Sequence, residues 1–190
     1  MTENSDRHSD AAVVQPKLSP PNKHSPTGMH KDVPDGGLTR LSSRLLQSRV
    51  GRDKQRYDGN TRLLACIVVS RRVDTSNEFL LISSSKHPTQ WILPKGGWEN
   101  DESAVECALR EADEEAGVTG KIIGSLGTLD FASQQGKSCR FYGFRLEVTQ
   151  VFEDWAENTR KRKWVSLDVA RELLQLRPEL VEMVERAVAL

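Results

Sequence analysis

The sequence predicts an α+β domain in which helices cover a mixed β-sheet, and three observations carry that expectation. Strand-like apolar runs lie on both sides of one strongly patterned helix near the middle of the chain. Two further helical patterns close the C-terminus, and no internal repeat is visible. The composition also changes along the chain: residues 1–37 are rich in Ser, Pro, Asn, Asp and His and lack aromatic side chains.

Taken in order, residues 1–50 are expected to be a disordered tail, because their composition cannot bury enough apolar surface to offset the entropy of folding. Within the tail, Leu38, Leu41, Leu45 and Leu46 interleave with Arg40, Arg44 and Arg49, the pattern of one short amphipathic helix over residues 38–50 that docks on the domain. Ser19-Pro20 and Ser25-Pro26 read as unmodified linker. The folded domain spans residues 51–190, with regular patterning from Arg56 onward, about 135 residues and enough for one core. Leu63 to Val69 is an apolar run suited to a buried strand, Glu78 to Ser83 its partner, and Trp91-Ile92-Leu93 a third strand feeding a glycine loop. Ser103 followed by Glu106 fits a capping box, so a helix runs from near Ser103 to Gly117, a typical glycine terminator. Val105, Ala108, Leu109 and Ala112 mark its buried stripe. Strands then follow around Lys121 to Phe131 and Cys139 to Thr149, the second with clear alternation, and a shorter one at Lys163 to Val165. Helices near Leu167 to Gln175 and Pro178 to Ala189 end the chain, with Pro178 suited to a first turn.

The chemistry concentrates between residues 96 and 118. Gly96, Glu102, Arg110, Glu111, Glu114, Glu115 and Gly117, closed by Val118, stand at fixed spacings. At an average frequency of roughly one in fifteen per position, such a match arises on the order of once in 10^8 starting points. Glu111 and Glu115 lie one helical turn apart, roughly 6 Å, with Glu114 on the adjoining strip, and none of them belongs to the apolar stripe. Three like charges so close need something positive beyond Arg110, and hard divalent cations favour clustered carboxylate oxygens. The entering loop, Pro94-Lys95-Gly96-Gly97-Trp98, has two residues without Cβ that let backbone approach a bound ion.

The segment Gly96 to Val118 resembles the Nudix box, the signature of hydrolases that cleave diphosphate linkages, with Ala112 in its first aliphatic slot. The resemblance implies an α/β/α sandwich and Mg2+ or Mn2+ as cofactor. It implies that Glu111 and Glu115 bind the metal together with the Gly96 carbonyl, and that Arg110 orients the carboxylates. It further implies that Glu102 supports the loop, that Glu114 either ligates a second ion or takes the proton of the attacking water, and that Glu111 is the other candidate for that catalytic base. Outside the box, Ser83-Ser84-Ser85-Lys86-His87-Pro88, Trp91-Ile92-Leu93-Pro94, Phe152-Glu153-Asp154-Trp155 and Arg160-Lys161-Arg162-Lys163-Trp164 resemble the diphosphoinositol polyphosphate phosphohydrolases, a branch that also cuts diadenosine polyphosphates. Gly51-Arg52-Asp53-Lys54-Gln55-Arg56-Tyr57 is similar to its plant members. By matched position, Arg62, Ser84, Ser85, Lys86, Gly96, Gly97, Lys137, Arg160 and Arg177 would contact an anionic small-molecule substrate, with Arg177 beside a helix N-terminus. Other diphosphate compounds (an ADP-sugar, a dinucleotide cofactor, a capped RNA) and a non-catalytic phosphate-sensing module are the competing expectations.

Composition excludes other roles. The 27 basic and 27 acidic side chains cancel, so neither specific nucleic-acid binding nor attraction to an anionic membrane is expected. No apolar run approaches the roughly 20 residues that span a bilayer. Cys66, Cys107 and Cys139 are odd in number and form no C-x-x-C pair, which favours a reducing compartment, the cytoplasm with the nucleus as an alternative. His87 is read as loop packing, and Trp91, Trp98, Trp155 and Trp164 as core or rim anchors.

Overall fold

Residues 46–190 are described in this computed structural model. The tail's first 45 residues, with both Ser-Pro pairs and most of the expected amphipathic helix, lie outside the described residues, and residues 46–50 form no helix. The described chain runs through β1 (Tyr57–Asp58), β2 (Thr61–Val73), β3 (Ser76–Ser83), β4 (Trp91–Ile92), β5 (Lys95–Gly97), α1 (Ala104–Ala116), β6 (Val118–Ala132), β7 (Ser138–Val151), β8 (Arg162–Val165), α2 (Leu167–Leu174) and α3 (Pro178–Ala189).

The strand β2 organises the sheet. One edge pairs in parallel with β7 from Arg62 to Ser70, and the other is shared by β3, at Ser70 to Val73, and β5, at Leu64 to Cys66. The remaining named pairings are antiparallel, which makes the eight-stranded sheet mixed. Leu63 to Ser70 are all buried, odd and even positions alike, so both faces of β2 are covered and its apolar run is uninterrupted. Both α1 and α3 pack against it.

Two strands arise where the sequence showed none. The glycine loop is itself β5, because the β2 edge at Leu64–Cys66 offers backbone partners to Lys95, Gly96 and Gly97. The two-residue β1 pairs back on Arg62 and Thr61 across a tight turn, too short to show a period.

The helix α1 has the capping box its sequence promised. Ser103 Oγ accepts from the Glu106 N–H at 3.2 Å, and a Glu106 carboxylate oxygen accepts from the Ser103 N–H at 2.7 Å. At the other end Gly117 is left-handed, with φ 60°, and a Cβ there would meet the Trp155 ring at 2.7 Å. The buried stripe differs from expectation. Val105 is exposed and Leu109 half-buried, whereas Cys107, Ala108, Glu111, Ala112, Glu115 and Ala116 face inward. Two positions of the stripe are glutamates, so apolar periodicity alone does not mark it. Replacing Ser103 by Ala should cost about 1 kcal/mol by removing the cap, read as a lower denaturation midpoint with unchanged slope.

Candidate active site

The inward face of α1 places Glu111 and Glu115 within the fold, each 7% exposed, which corrects the expectation that the acidic surface lies away from the buried stripe. Two arginines offset this burial. Arg110 forks onto Glu102, with Nη2 to Oε1 at 2.7 Å and Nε to Oε2 at 2.9 Å, and its Nη1 reaches Glu111 Oε1 at 2.8 Å and Glu114 Oε2 at 3.4 Å. It also donates to the Gly97 carbonyl at 3.1 Å, which ties the helix to β5. Glu102 accepts from the Glu99 N–H at 3.2 Å, so it braces the loop as well as Arg110. Glu115 accepts from the Lys95 N–H at 2.9 Å and from Arg160 Nη2 at 2.7 Å.

Gly96 explains why glycine stands there. A Cβ on it would sit 2.0 Å from the Glu111 carboxylate, so the carboxylate rests directly against bare backbone. Burial pushes the Glu111 carboxyl well above the ordinary range, the charge of Glu115 adds to that, and Arg110 opposes it. Glu115 is raised by burial as well, against the pull of Lys95 and Arg160. Two buried carboxylates that resist joint ionisation, beside backbone free of side chain, form a donor set suited to a hard divalent cation. Among the described residues no group of three or more His, Cys, Asp or Glu side chains has the geometry to hold an ion. Glu114 is held instead by Arg110 and by the backbone N–H of Arg49 at 3.3 Å.

A cavity of about 760 Å³ opens beside this pair, with Gly96 and Glu115 in its wall. Its wall also gathers Arg52, Arg62, Lys86, Lys95, Lys137, Arg160 and Arg177, with Ser84 and Ser85, against the single carboxylate of Glu115. Most of the expected substrate contacts thus come together. Gly97 sits behind them, its missing Cβ making room for Gln55 and Arg62. Arg160 has other attachments: its three nitrogens donate to Glu115, to Glu157 at 2.7 Å and to the Ser83 carbonyl at 3.1 Å, and it is 8% exposed. Arg62 donates to Gln55 at 2.7 Å and Arg177 pairs with Glu179 at 2.6 Å. Lys86 and Lys137 make no ion pair among the described residues. Arg52, Tyr57, Asn60 and the turn Ser133–Gln135 also line the cavity and were not foreseen. Arg52 and Tyr57 belong to residues 51–57, which precede the first long strand, and the turn carries no charge to mark it. Trp98 serves as an anchor, with its Nε1–H on the Glu102 carbonyl at 3.0 Å, its ring edge-on to Tyr142 and Arg56 over its face.

The NUDIX domain family model matches residues 61–187. The chain belongs to the Nudix family. Nudix hydrolase 21, chloroplastic, of Arabidopsis thaliana is 46% identical over 136 residues, 68% of this chain and 69% of that protein. Diphosphoinositol polyphosphate phosphohydrolase 3-alpha of Mus musculus is 38% identical over 133 residues, 68% of this chain and 79% of that one. Among solved structures, a C. elegans Ap4A hydrolase binary complex superposes with a TM-score of 0.50 at 26% identity, covering 67% of this chain and 95% of that one. The mixed sheet and flanking helices are the Nudix α/β/α sandwich, and the family, which generally uses divalent metal ions, identifies the chain as a hydrolase. No described helix is long and apolar enough to cross a membrane, and one relative is named as chloroplastic.

Two outcomes follow from this Nudix site. The folded protein binds a proton at Glu111 more tightly than the unfolded chain, whose carboxyl titrates near 4.5, because burial pushes Glu111 up to about 8. Metal-free protein should therefore lose stability as pH rises through that window, and Glu111→Gln should lose less than wild type between about pH 5 and pH 8. Thermal melts at the two pH values measure the difference. Gly96→Ala, whose new methyl group must displace the Glu111 carboxylate, should keep its circular dichroism yet lose about 100-fold or more in turnover.

Proposed function

We propose that the protein hydrolyses phosphoanhydride bonds in diphosphoinositol polyphosphates, diadenosine polyphosphates or both, by attack of water at phosphorus. The observation that carries this reading is the cavity beside Glu115, whose wall holds seven cationic side chains and one carboxylate. A substrate bearing many phosphates needs several such contacts at once. The mouse relative named for diphosphoinositol polyphosphates and the nematode neighbour named for Ap4A support the same substrate range.

In this reading Lys86, Lys137, Arg62 and Arg177 draw the polyanion in, and the hydroxyls of Ser84 and Ser85 orient its phosphates. Glu111, Glu115 and the Gly96 backbone hold Mg2+ or Mn2+, which when bound neutralises phosphate oxygens and lowers the pKa of water. Arg110 keeps Glu111 and Glu114 in register through one nitrogen. Glu114 accepts the proton of the attacking water. Arg160 fixes Glu115 through Nη2 and also lines the cavity, where its remaining N–H groups can meet a phosphate. The thiols Cys66, Cys107 and Cys139 are all free and buried, in keeping with a reducing compartment such as the cytoplasm or nucleus.

A panel of diphosphoinositol polyphosphates, diadenosine polyphosphates, ADP-sugars, dinucleotides and capped RNA, assayed with Mg2+ and Mn2+, tests the proposal. The first two groups should turn over fastest, and Glu115→Gln should abolish the rate by orders of magnitude. Preference by a large factor for a nucleotide sugar or a cap would contradict it, as would full activity of Glu115→Gln.

A further inference from the structure

Residues 48 and 49 precede the span matched by the family model, yet Arg49 touches the box directly and Ser48 touches Glu157, which is bonded to it. The guanidinium of Arg49 is gripped through a single nitrogen, Nη1, which pairs with Glu99, with Asp101 at 2.9 Å and with Glu102 at 3.8 Å. The backbone N–H of the same residue donates to Oε2 of Glu114 at 3.3 Å. Ser48 Oγ donates to Glu157 at 3.1 Å, and the Glu157 N–H donates to the Glu114 carbonyl at 3.0 Å. Just downstream, Lys54 pairs with Asp101 at 2.7 Å, its carbonyl accepts from the Asn100 N–H at 2.8 Å, and the Arg56 N–H donates to the Trp98 carbonyl at 2.8 Å. Residues 48–56 are therefore held along the 98–102 loop at both ends.

We propose that Arg49 is a positioning residue for Glu114. Its side chain anchors the backbone on the loop carboxylates, and the anchored N–H holds one oxygen of Glu114. Arg110 donates to the same oxygen, Oε2, at 3.4 Å, so two donors converge there. Among the described residues Oε1 accepts no hydrogen bond, which leaves it as the oxygen that can take a proton from water. The grip is linked to the rest of the box, since Glu102 receives both Arg49 and Arg110. Burial pushes the Glu114 carboxyl above the ordinary range, and Arg110 with the Arg49 N–H draws it back. This inference rests on Glu114 being a working carboxylate of the hydrolysis proposed above.

A double-mutant cycle in the full chain tests it, using the substrate that wild type turns over fastest, at saturating Mg2+. Arg49→Ala should lower kcat about three- to tenfold, the size of one ordinary net hydrogen bond, with KM unchanged within about twofold. Added to Glu114→Gln, the same change should cost no further rate. Arg49→Lys should restore most of the rate, since every ion pair of Arg49 runs through one nitrogen that an ammonium can replace. If Arg49→Ala does not fold, Arg49→Gln carries the comparison, losing rate where Lys keeps it. An unchanged or raised kcat in an active background overturns this inference alone, as does an equal further loss in the Glu114→Gln background. A wild-type chain inactive on the whole panel overturns the hydrolase reading and this inference together.

Discussion

The fold commits two glutamates of one helix face to the interior, and much of the site follows from how that charge is tolerated. Glu111 and Glu115 occupy stripe positions that a helix normally gives to apolar residues, next to Ala108 and Ala112. Such burial is costly unless each carboxylate has a partner. Glu111 has Arg110, and Glu115 has Arg160 and the Lys95 amide. Those partners in turn fix β5, the 98–102 loop and the segment carrying Arg160. Gly96 is bare because the Glu111 carboxylate fills the place of its side chain. Even this arrangement leaves both acids reluctant to ionise together, a condition that a divalent cation would relieve under the proposed function.

Charge is separated rather than absent. The chain is neutral overall, with 27 basic and 27 acidic side chains, so no net long-range field is expected from it. Locally the cavity wall is strongly cationic, while the surface around Glu99, Asp101, Glu102 and Glu114 is acidic and tied down by Arg49, Arg110 and Lys54. Under the proposed function, a polyanion and a divalent cation would meet at the seam between a basic and an acidic region. Glu115 stands at that seam, lining the cavity and bonding Arg160.

Much of this was legible in the sequence, and the remainder was hidden for physical reasons. The capping box of Ser103 and Glu106, the terminator Gly117 and the start of α3 at Pro178 are local chemistry, so they appeared where the residues said. The strand β5 depends on a partner edge far along the chain, and two glycines with a lysine carry no strand period. The inward turn of Glu111 and Glu115 was missed because periodicity was sought among apolar residues alone. Arg160 shows a related limit. A basic residue in a motif reads as a substrate contact, and only the fold reveals that a carboxylate 45 positions away already holds it. Arg49 read as one face of a helix, whereas it lies in a segment without regular secondary structure and is bound to four acidic residues.

The central claim is that Glu111 and Glu115 form a buried, mutually repelling pair that a divalent cation quiets. Carbon-13 NMR of protein labelled at glutamate carboxyls, with the two signals assigned from Glu111→Gln and Glu115→Gln, measures this directly. Without metal, both signals should titrate above the ordinary glutamate range, and Mg2+ at neutral pH should shift them to the ionised position. Two signals fully ionised by about pH 5 and indifferent to Mg2+ would contradict the account.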